Sequence, residues 1–211
     1  MYIFRYYCLS MESLLPIFFA FIAGTGHAFE PDHLLAVGNL ISRRDTLGLA
    51  LRDGVYWGLG HTTMLVVVGS VILLSRATFL QSSYFEAVVG LMLVAMGISR
   101  LLGWKRPISL KPTRYPHRLA YTVGLLHGLA GSGALVLLVM SEIRKPTLGI
   151  LYLFIFGVGS ILGMFIVAGL CSIPFTKRMR INRSLQFSAI TLSSVICILY
   201  GGRMIYENVK W

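Results

Sequence analysis

Six side chains that suit metal coordination lie inside apolar segments of the sequence. They comprise four of the five histidines and two carboxylates between the first two: His27, Glu30, Asp32, His33, His61 and His127. Ionisable groups are costly in hydrocarbon and are rare there unless they form a site or a transport path. Imidazole nitrogens with carboxylate oxygens favour a borderline divalent transition metal over magnesium or calcium, which prefer oxygen ligands.

The spacing of three histidines predicts that they meet at one depth of a membrane. His33 lies eight residues before Ile41, His61 eight residues after Asp53 and His127 nine residues after Arg118, and all three reference residues lie at the same-side end of an apolar segment. At a rise of 1.5 Å per residue, this places all three about 12–14 Å from one membrane boundary. Asp32 would lie in the same layer. We expect His27 about 9 Å further toward the opposite side, as the first ligand that an ion meets.

Pro31 interrupts the first of these apolar segments. Because proline has no N–H, we expect a kink that frees the carbonyl of His27, and such carbonyls are tolerated where they line a cavity or bind an ion. Before the kink His27 and Glu30 share a helix face, and after it Asp32 and His33 can point in a new direction. Glu30 is then a ligand, an outer partner that orients an imidazole, or a proton acceptor.

The chain that carries these groups is strongly apolar. Of its 211 residues 56 % are AVILMFWYC and 13 % are charged, with a mean hydropathy of +0.75, against about 45–50 % and about 25 % in soluble domains. This excludes a water-soluble catalytic domain and predicts an all-α membrane protein, with residues 1–211 as one transmembrane domain. The six predicted transmembrane helices are Leu14–Ile41, Gly54–Ser75, Phe85–Trp104, Leu119–Ser141, Thr147–Ile173 and Leu185–Tyr206.

An internal similarity predicts two inverted three-helix repeats, about residues 11–104 and about residues 118–207. A shift of 100 aligns residues 24–28 with 124–128, and a shift of 99 aligns 58–61 with 157–160. Three spans in each half invert the second half relative to the first. The alternative is that glycine is merely common in membrane helices. The glycines expected to permit close helix contact are Gly24, Gly26, Gly58, Gly60, Gly124, Gly128, Gly157 and Gly159.

Basic residues are distributed unevenly between the two ends of these spans. The loops after the first, third and fifth spans carry 13 Lys and Arg, and the opposite side carries 6. The positive-inside rule therefore predicts that both termini lie outside and that the loop Gly103–His117 is cytoplasmic, in a multi-pass protein of the cell (inner) membrane. The net charge of +11 is loop charge and does not indicate a nucleic-acid partner.

Two short motifs resemble those of a known family. The run from His27 to His33, His-Ala-Phe-Glu-Pro-Asp-His, resembles the His-x-x-x-x-Asp-His signature of the nickel/cobalt transporter family, and Leu-Gly-His-Thr-Thr at 59–63 resembles its second signature. Glu30-Pro31, where that family usually has Asp-Ala, together with the segment 127–133 and the six spans, is closer to the urease-accessory UreH-like branch, related to sulfite-exporter-type membrane proteins. The resemblance implies uptake of Ni²⁺ or Co²⁺, with His27, Asp32, His33 and His61 on the metal path.

We therefore expect a secondary transporter and not an enzyme, with no permanent cofactor, a transiently bound Ni²⁺ or Co²⁺, a lipid bilayer around it, and homo-oligomerisation left open. Alternatives are the same fold exporting another cargo such as sulfite, an intramembrane zinc-dependent hydrolase, and a haem-binding electron carrier. The sequence contains no His-Glu-x-x-His, which argues against the hydrolase, and two acids at the site argue against an anion. His61 or His127 alone could instead hydrogen-bond between helices.

Overall fold

The computed structural model describes residues 16–42, 44, 46–75, 84–103, 117–129, 146–175 and 183–209. Over these ranges the regular elements are helical, and a 3₁₀ turn, Ile173–Phe175, follows the sixth helix. The helices are α1 (Pro16–His27), α2 (Pro31–Ile41), α3 (Leu47–Ser75), α4 (Tyr84–Gly103), α5 (described over 118–129), α6 (Pro146–Ser172) and α7 (Arg183–Asn208).

Within the described ranges, four helices have the length and apolar composition needed to cross a membrane: Leu47–Ser75, Tyr84–Leu102, Thr147–Ser172 and Gln186–Asn208. They correspond to the second, third, fifth and sixth predicted spans, so the chain is an all-α, multi-pass membrane protein. The predicted span Leu119–Ser141 is described only as far as residue 129, and its remainder lies outside the described residues.

The first predicted span, Leu14–Ile41, is wrong as a single kinked helix. α1 ends at His27, and the backbone at Glu30 is extended, with φ −61° and ψ 148°, because a residue that precedes proline is driven out of the helical region. Pro31 then occupies the first turn of α2, where no N–H is needed. The carbonyl of His27 is not free, since the backbone N–H of Glu30 donates to it at 3.1 Å.

The second predicted span, Gly54–Ser75, begins too late. α3 begins at Leu47, so Arg52 and Asp53 belong to the helix instead of marking its solvated end. Asp53 is fully buried and is paired with Arg44 and His117. Arg44 supplies the counter-charge for this buried carboxylate, and His117 supplies a further hydrogen bond.

Two extensive helix pairs form the body of the molecule, α3 with α6 and α4 with α7, and α2 packs among α4, α6 and α7. Two further contacts, α1 with α6 and α5 with α3, are close at glycines. A side chain on Gly24 would overlap the carbonyl oxygen of Phe156, and one on Gly124 would overlap that of Trp57. Gly26 was expected to permit the same approach, but it has no atom of another segment within 4 Å.

These contacts set the position of the histidines. Gly128 of α5 rests on the backbone of His61, where a Cβ would lie 2.5 Å from the carbonyl oxygen. The next residue toward the N-terminus, His127, is thereby held against the middle of α3. The break after His27 returns the chain toward the same point, so that α2 begins beside α3 and α5.

Candidate metal centre

The described structure brings together all six residues that the sequence predicts as candidate metal ligands. His27 ends α1, Glu30 lies in the following turn, and Asp32 and His33 are in the first turn of α2. His61 lies at the middle of α3 and His127 lies on α5. The site is thus built from four helices that converge at the break between α1 and α2.

The imidazole rings form one cluster around His33. The centroid of the His33 ring lies 4.2 Å from that of His127, 4.5 Å from His27 and 5.2 Å from His61. The rings of His27 and His61 are 5.3 Å apart, and those of His61 and His127 are 6.5 Å apart. The matched depth of His33, His61 and His127 therefore does place their rings in one group.

His27 lies in this group and not about 9 Å outside it. The expected offset assumed a continuous helix from His27 to His33 with a rise of 1.5 Å per residue. In the structure, the helix stops at His27, and a hydrogen-bonded turn through residues 28–30 replaces the continuous helical rise, so that the His27 ring lies 4.5 Å from that of His33. The break at Pro31 thus adds a fourth imidazole to the layer.

The two carboxylates each hold an imidazole through one ring nitrogen. Asp32 accepts hydrogen bonds from His33 Nδ1 at 3.1 Å and from His127 Nε2 at 2.8 Å. Glu30 accepts from His27 Nδ1 at 2.8 Å. An ionised carboxylate can only accept, so each nitrogen that faces it carries the proton and the other nitrogen of that ring carries a lone pair.

The nitrogen atoms that remain are buried and have no partner. His27 Nε2, His33 Nε2, His127 Nδ1 and both ring nitrogens of His61 make no hydrogen bond within the described part of the chain. His33, His61 and His127 are at most 1 % exposed. Leaving such groups unsatisfied in an apolar interior costs about 1–3 kcal/mol each, and their concentration at one point indicates room for a ligand.

Two triads of ligand atoms come close to the spacing that a bound ion requires. The atoms of His27, His33 and His61 all lie within 4.8 Å of one another, and so do those of Asp32, His33 and His127. Two nitrogens bound to one ion are at most about 4 Å apart, so each triad needs only a small contraction. His33 belongs to both triads.

The cluster opens toward the turn between α1 and α2. The Glu30 side chain is 52 % exposed and that of His27 is 11 % exposed, whereas the three remaining imidazoles are sealed from solvent. Exposure therefore decreases from Glu30 through His27 to His33. This gradient is the arrangement expected if an ion reaches the buried rings from the Glu30 side.

Sequence reasoning missed two aromatic residues that border the cluster. The ring of Phe156 lies 5.4 Å from His27, and that of Trp57 lies 5.7 Å from His127, with both aromatic side chains at most 2 % exposed. The sequence signal that could have found them is the shift of 99, because the alignment of 58–61 with 157–160 also aligns 57 with 156.

A second polar cluster was also missed. Asp53 accepts a hydrogen bond from His117 Nδ1 at 2.7 Å and is paired with the Arg44 guanidinium, and the His117 ring stacks on Tyr56 at 4.9 Å. Asp53 directly precedes the second predicted span, where a charged residue would be expected to be solvated, but it is fully buried. His117 and Asp53 are 64 residues apart, so no local sequence pattern predicts that they pair.

No family model matches the chain, and no solved structure matches it. Among curated proteins it is similar to the urease accessory protein UreH of Bacillus sp. (strain TB-90), with 34 % identity over 206 residues. The alignment covers 89 % of this chain and 89 % of the relative. The relative is named as an accessory to an enzyme and not as an enzyme itself, in agreement with the expectation from sequence. At this identity and coverage, the protein belongs to the UreH family of urease accessory proteins.

Proposed function

We propose that the protein is a secondary transporter that moves a divalent transition-metal cation, Ni²⁺ or Co²⁺, across the membrane. The cation is cargo and binds transiently, so no resident cofactor is needed. The site would be formed by His27, His33 and His61, with Asp32, Glu30 and His127 around them. The observation that carries this proposal is the convergence of buried lone-pair nitrogens that have no hydrogen-bond partner.

Purely structural use of these histidines does not account for the free nitrogens. A histidine that joins two helices by hydrogen bonds would be expected to have its ring nitrogens paired, since unpaired polar atoms are costly in an apolar interior. His61 has neither nitrogen paired within the described residues, although it is fully buried. A cation that accepts nitrogen ligands would satisfy both the lone pairs and the geometry.

The two carboxylates favour an assignment of roles. Imidazoles that bind metals usually donate their other N–H to a carboxylate, which fixes the tautomer and strengthens the lone pair. Glu30 stands in this relation to His27, and Asp32 to His33. The triad of His27, His33 and His61 would then hold the ion, with both acids as orienting partners. Binding by the second triad would require Asp32 to exchange its two hydrogen bonds for the metal.

The identity of the cargo rests on ligand chemistry and on family. Imidazole ligands suit nickel, copper, zinc and iron, and hard cations such as magnesium are disfavoured by a nitrogen-rich site. The resemblance of the run from His27 to His33 to the nickel/cobalt transporter signature narrows the range to Ni²⁺ or Co²⁺. Membership in a family named for an accessory role to urease is compatible with metal supply.

Reciprocal contacts support the proposal that six spans form two inverted repeats. Gly24 of α1 meets the carbonyl oxygen of Phe156 on α6, and Gly124 of α5 meets that of Trp57 on α3. The two glycines are related by the shift of 100, and the two aromatic residues by the shift of 99. The same contact therefore occurs once in each direction between the proposed halves.

A second reciprocal pair has the same relation. Gly60 of α3 meets the carbonyl oxygen of Tyr121, and Gly159 of α6 meets that of Phe21. The shift of 99 relates Gly60 to Gly159, and the shift of 100 relates Phe21 to Tyr121. The pairing of α3 with α6 and of α4 with α7 is what a two-fold axis in the membrane plane would produce. We propose on this basis a single transmembrane domain, residues 1–211, with halves at about 11–104 and about 118–207.

The orientation is proposed from charge alone. With 13 basic residues on one side and 6 on the other, both termini would lie outside the inner membrane of the cell. A reporter fused after Trp211 is expected to read outside and one near Lys111 to read cytoplasmic. The reverse pair of readings would exchange the two sides of the transport path.

The expected partners are the lipid bilayer and the transported cation. No nucleic acid is expected to bind, and homo-oligomerisation is left open.

Metal uptake by cells that produce the chain tests the proposed function. Cells with the wild-type protein are expected to accumulate Ni²⁺ or Co²⁺, and cells with His33→Ala to show only background uptake. Leu126→Ala and Leu59→Ala are matched controls, because these side chains neighbour His127 and His61 in sequence and point outward, with 38 % and 41 % exposure. Equal uptake by His33→Ala at equal membrane abundance would refute the site. Transport of sulfite, or of Zn²⁺ alone, would replace the proposed cargo.

A further inference from the structure

A cavity of about 240 Å³ lies apart from the histidines, where the ends of several helices meet. Its polar lining comes from the C-terminal ends of α2 and α4 and from the eleventh and twelfth residues of α7: Asn39, Ser42, Arg100, Ser193 and Ser194. Its apolar lining includes Leu34, Phe175 and Ile190. None of the six residues of the metal centre lines it.

Two of the polar groups are buried without a hydrogen bond. Ser194 is 0 % exposed and its hydroxyl has no partner among the described residues. Asn39 is 3 % exposed, and neither polar atom of its carboxamide has a hydrogen-bond partner of ordinary geometry there, although the Cys197 thiol lies beside it. Buried polar groups are normally satisfied, so these two side chains indicate a polar ligand in the cavity.

The charge of the lining specifies the sign of that ligand. Arg100 is only 8 % exposed, and its guanidinium donates to the backbone carbonyl of Ser42 at 2.9 Å. No Asp or Glu occurs among the described lining residues. A guanidinium, a carboxamide and serine hydroxyls can all donate to an oxyanion, and arginine is particularly suited to phosphate. The same guanidinium would repel a divalent cation, so the cavity is unsuited to the metal path.

The position of the cavity indicates where the anion comes from. Ser42 follows the end of α2, Arg100 lies three residues before the end of α4, and Phe175 closes the turn after α6. The loops that follow these three helix ends, at 42–46, 104–117 and 176–182, carry 9 of the 19 basic residues of the chain. The end of the cavity at Ser42 and Arg100 therefore lies near the level of lipid headgroups on the basic side, where pockets between helices bind anionic lipids.

We propose that this cavity binds the phosphate of an anionic phospholipid headgroup. The phosphate oxygens accept from Arg100, Asn39 and Ser194, and the glycerol end of the lipid lies against the apolar wall at Leu34 and Ile190. Leu34 is 37 % exposed, so this wall continues onto the outer surface of α2, which faces the acyl chains. The inference is independent of the metal cargo, because it uses no residue of the metal centre.

The test compares lipid retention by the full-length protein in nanodiscs of phosphatidylcholine alone and of phosphatidylcholine mixed with phosphatidylglycerol. After release into detergent, native mass spectrometry counts the bound phosphatidylglycerol. We expect one retained molecule for the wild type and a roughly tenfold weaker affinity for Arg100→Gln, as lost charge-assisted hydrogen bonds imply. Arg203→Gln is the matched control, since Arg203 is 71 % exposed and pairs only locally with Glu207.

Further variants and a competitor keep the proposal open to refutation. Ser194→Ala removes one donor and is expected to weaken retention by a few-fold without the loss of a charge. A thermal unfolding midpoint equal to that of the wild type in the same nanodiscs shows that each variant is folded. Equal retention by Arg100→Gln and the wild type, or equal retention of phosphatidylcholine and phosphatidylglycerol, would overturn the proposal. Displacement of the lipid by millimolar inorganic phosphate, with the same dependence on Arg100, would overturn the lipid source and assign the cavity to free phosphate.

Discussion

The helix α3 carries two buried polar clusters that use the same residue types in opposite ways. Around His61, four imidazoles and two carboxylates meet, and five ring nitrogens have no hydrogen-bond partner within the described residues. Around Asp53, about 12 Å away along the helix, one carboxylate is paired with Arg44 and His117. We refer to these groups as the His61 cluster and the Asp53 cluster.

The difference lies in how completely each cluster satisfies itself. Asp53 is 0 % exposed, yet both of its oxygens have donors, from Arg44 and from His117. His61 is equally buried, and neither of its nitrogens has one. Because its hydrogen bonds are complete, the Asp53 cluster attaches the segment before α3 and the start of α5 to the α3 helix. The His61 cluster has unpaired ring nitrogens, which can bind a ligand that enters the site.

The largest expected effect is the loss of metal binding when His33 is replaced, because His33 belongs to both triads. His33→Leu is expected to lower the affinity for Ni²⁺ by at least about a thousandfold, since an orienting partner alone is worth tenfold to a hundredfold. Stability should change little, because a polar ring with one unpaired nitrogen is exchanged for an apolar side chain of similar size. Isothermal titration and thermal unfolding of the purified protein measure the two effects. Retained affinity would remove the distinction between the clusters.

The Asp53 cluster is expected to show the reverse behaviour. Asp53→Asn leaves Arg44 and His117 without their counter-charge in a largely buried position, which costs about 3 kcal/mol of stability. Its affinity for Ni²⁺ should stay within a few-fold of the wild type, because Asp53 lies outside both triads. Denaturant unfolding in detergent and a metal titration provide the comparison. A normally stable Asp53→Asn protein that no longer binds or transports metal would place Asp53 on the metal path.

A smaller effect separates the two carboxylates of the His61 cluster. Asp32 orients two imidazoles and Glu30 orients one, and the Glu30 side chain is 52 % exposed. Asp32→Asn is therefore expected to weaken Ni²⁺ binding by about tenfold to a hundredfold, in the range for an orienting partner, and Glu30→Gln by less. The pH dependence of binding should be preserved in both if the acids only orient. A loss with Asp32→Asn as complete as that with His33→Leu would make Asp32 a direct ligand.

The sequence predicted the members of the His61 cluster because their signal is local or periodic. An ionisable residue inside an apolar run is visible without a structure, and equal distance from a span end placed His33, His61 and His127 at one depth. The membership of His27 was predicted, but its depth was wrong. Proline in an apolar segment can either kink one continuous helix or begin a second helix after a turn, here of three residues. The presence of Pro31 alone does not show which of the two occurs.

The Asp53 cluster could not be predicted, for a physical reason. A charged residue near the end of a span is usually solvated, and only the tertiary position of His117, 64 residues away, makes Asp53 a buried partner. The same holds for the cavity at Arg100, whose lining comes from helices that are distant in sequence. Burial of a polar group depends on contacts between helices, whereas its presence in a helix depends on local composition.

The smallest expected effect concerns Trp57, whose indole N–H is buried beside His127 and has no partner among the described residues. It is unsatisfied like the imidazoles, but an indole N–H can only donate and cannot bind a cation through a lone pair. Phe156 lies next to His27, so a phenyl ring is accommodated beside another imidazole of the cluster. In Trp57→Phe, the removal of an unpaired donor, worth about 1 kcal/mol, offsets part of the cost of the lost volume. Affinity for Ni²⁺ is therefore expected to stay within about threefold, since 1.4 kcal/mol corresponds to tenfold. A larger loss of Ni²⁺ affinity in Trp57→Phe would mean that Trp57 Nε1 donates to His127 Nδ1 when the ion is bound. The His61 cluster would then extend to the indole.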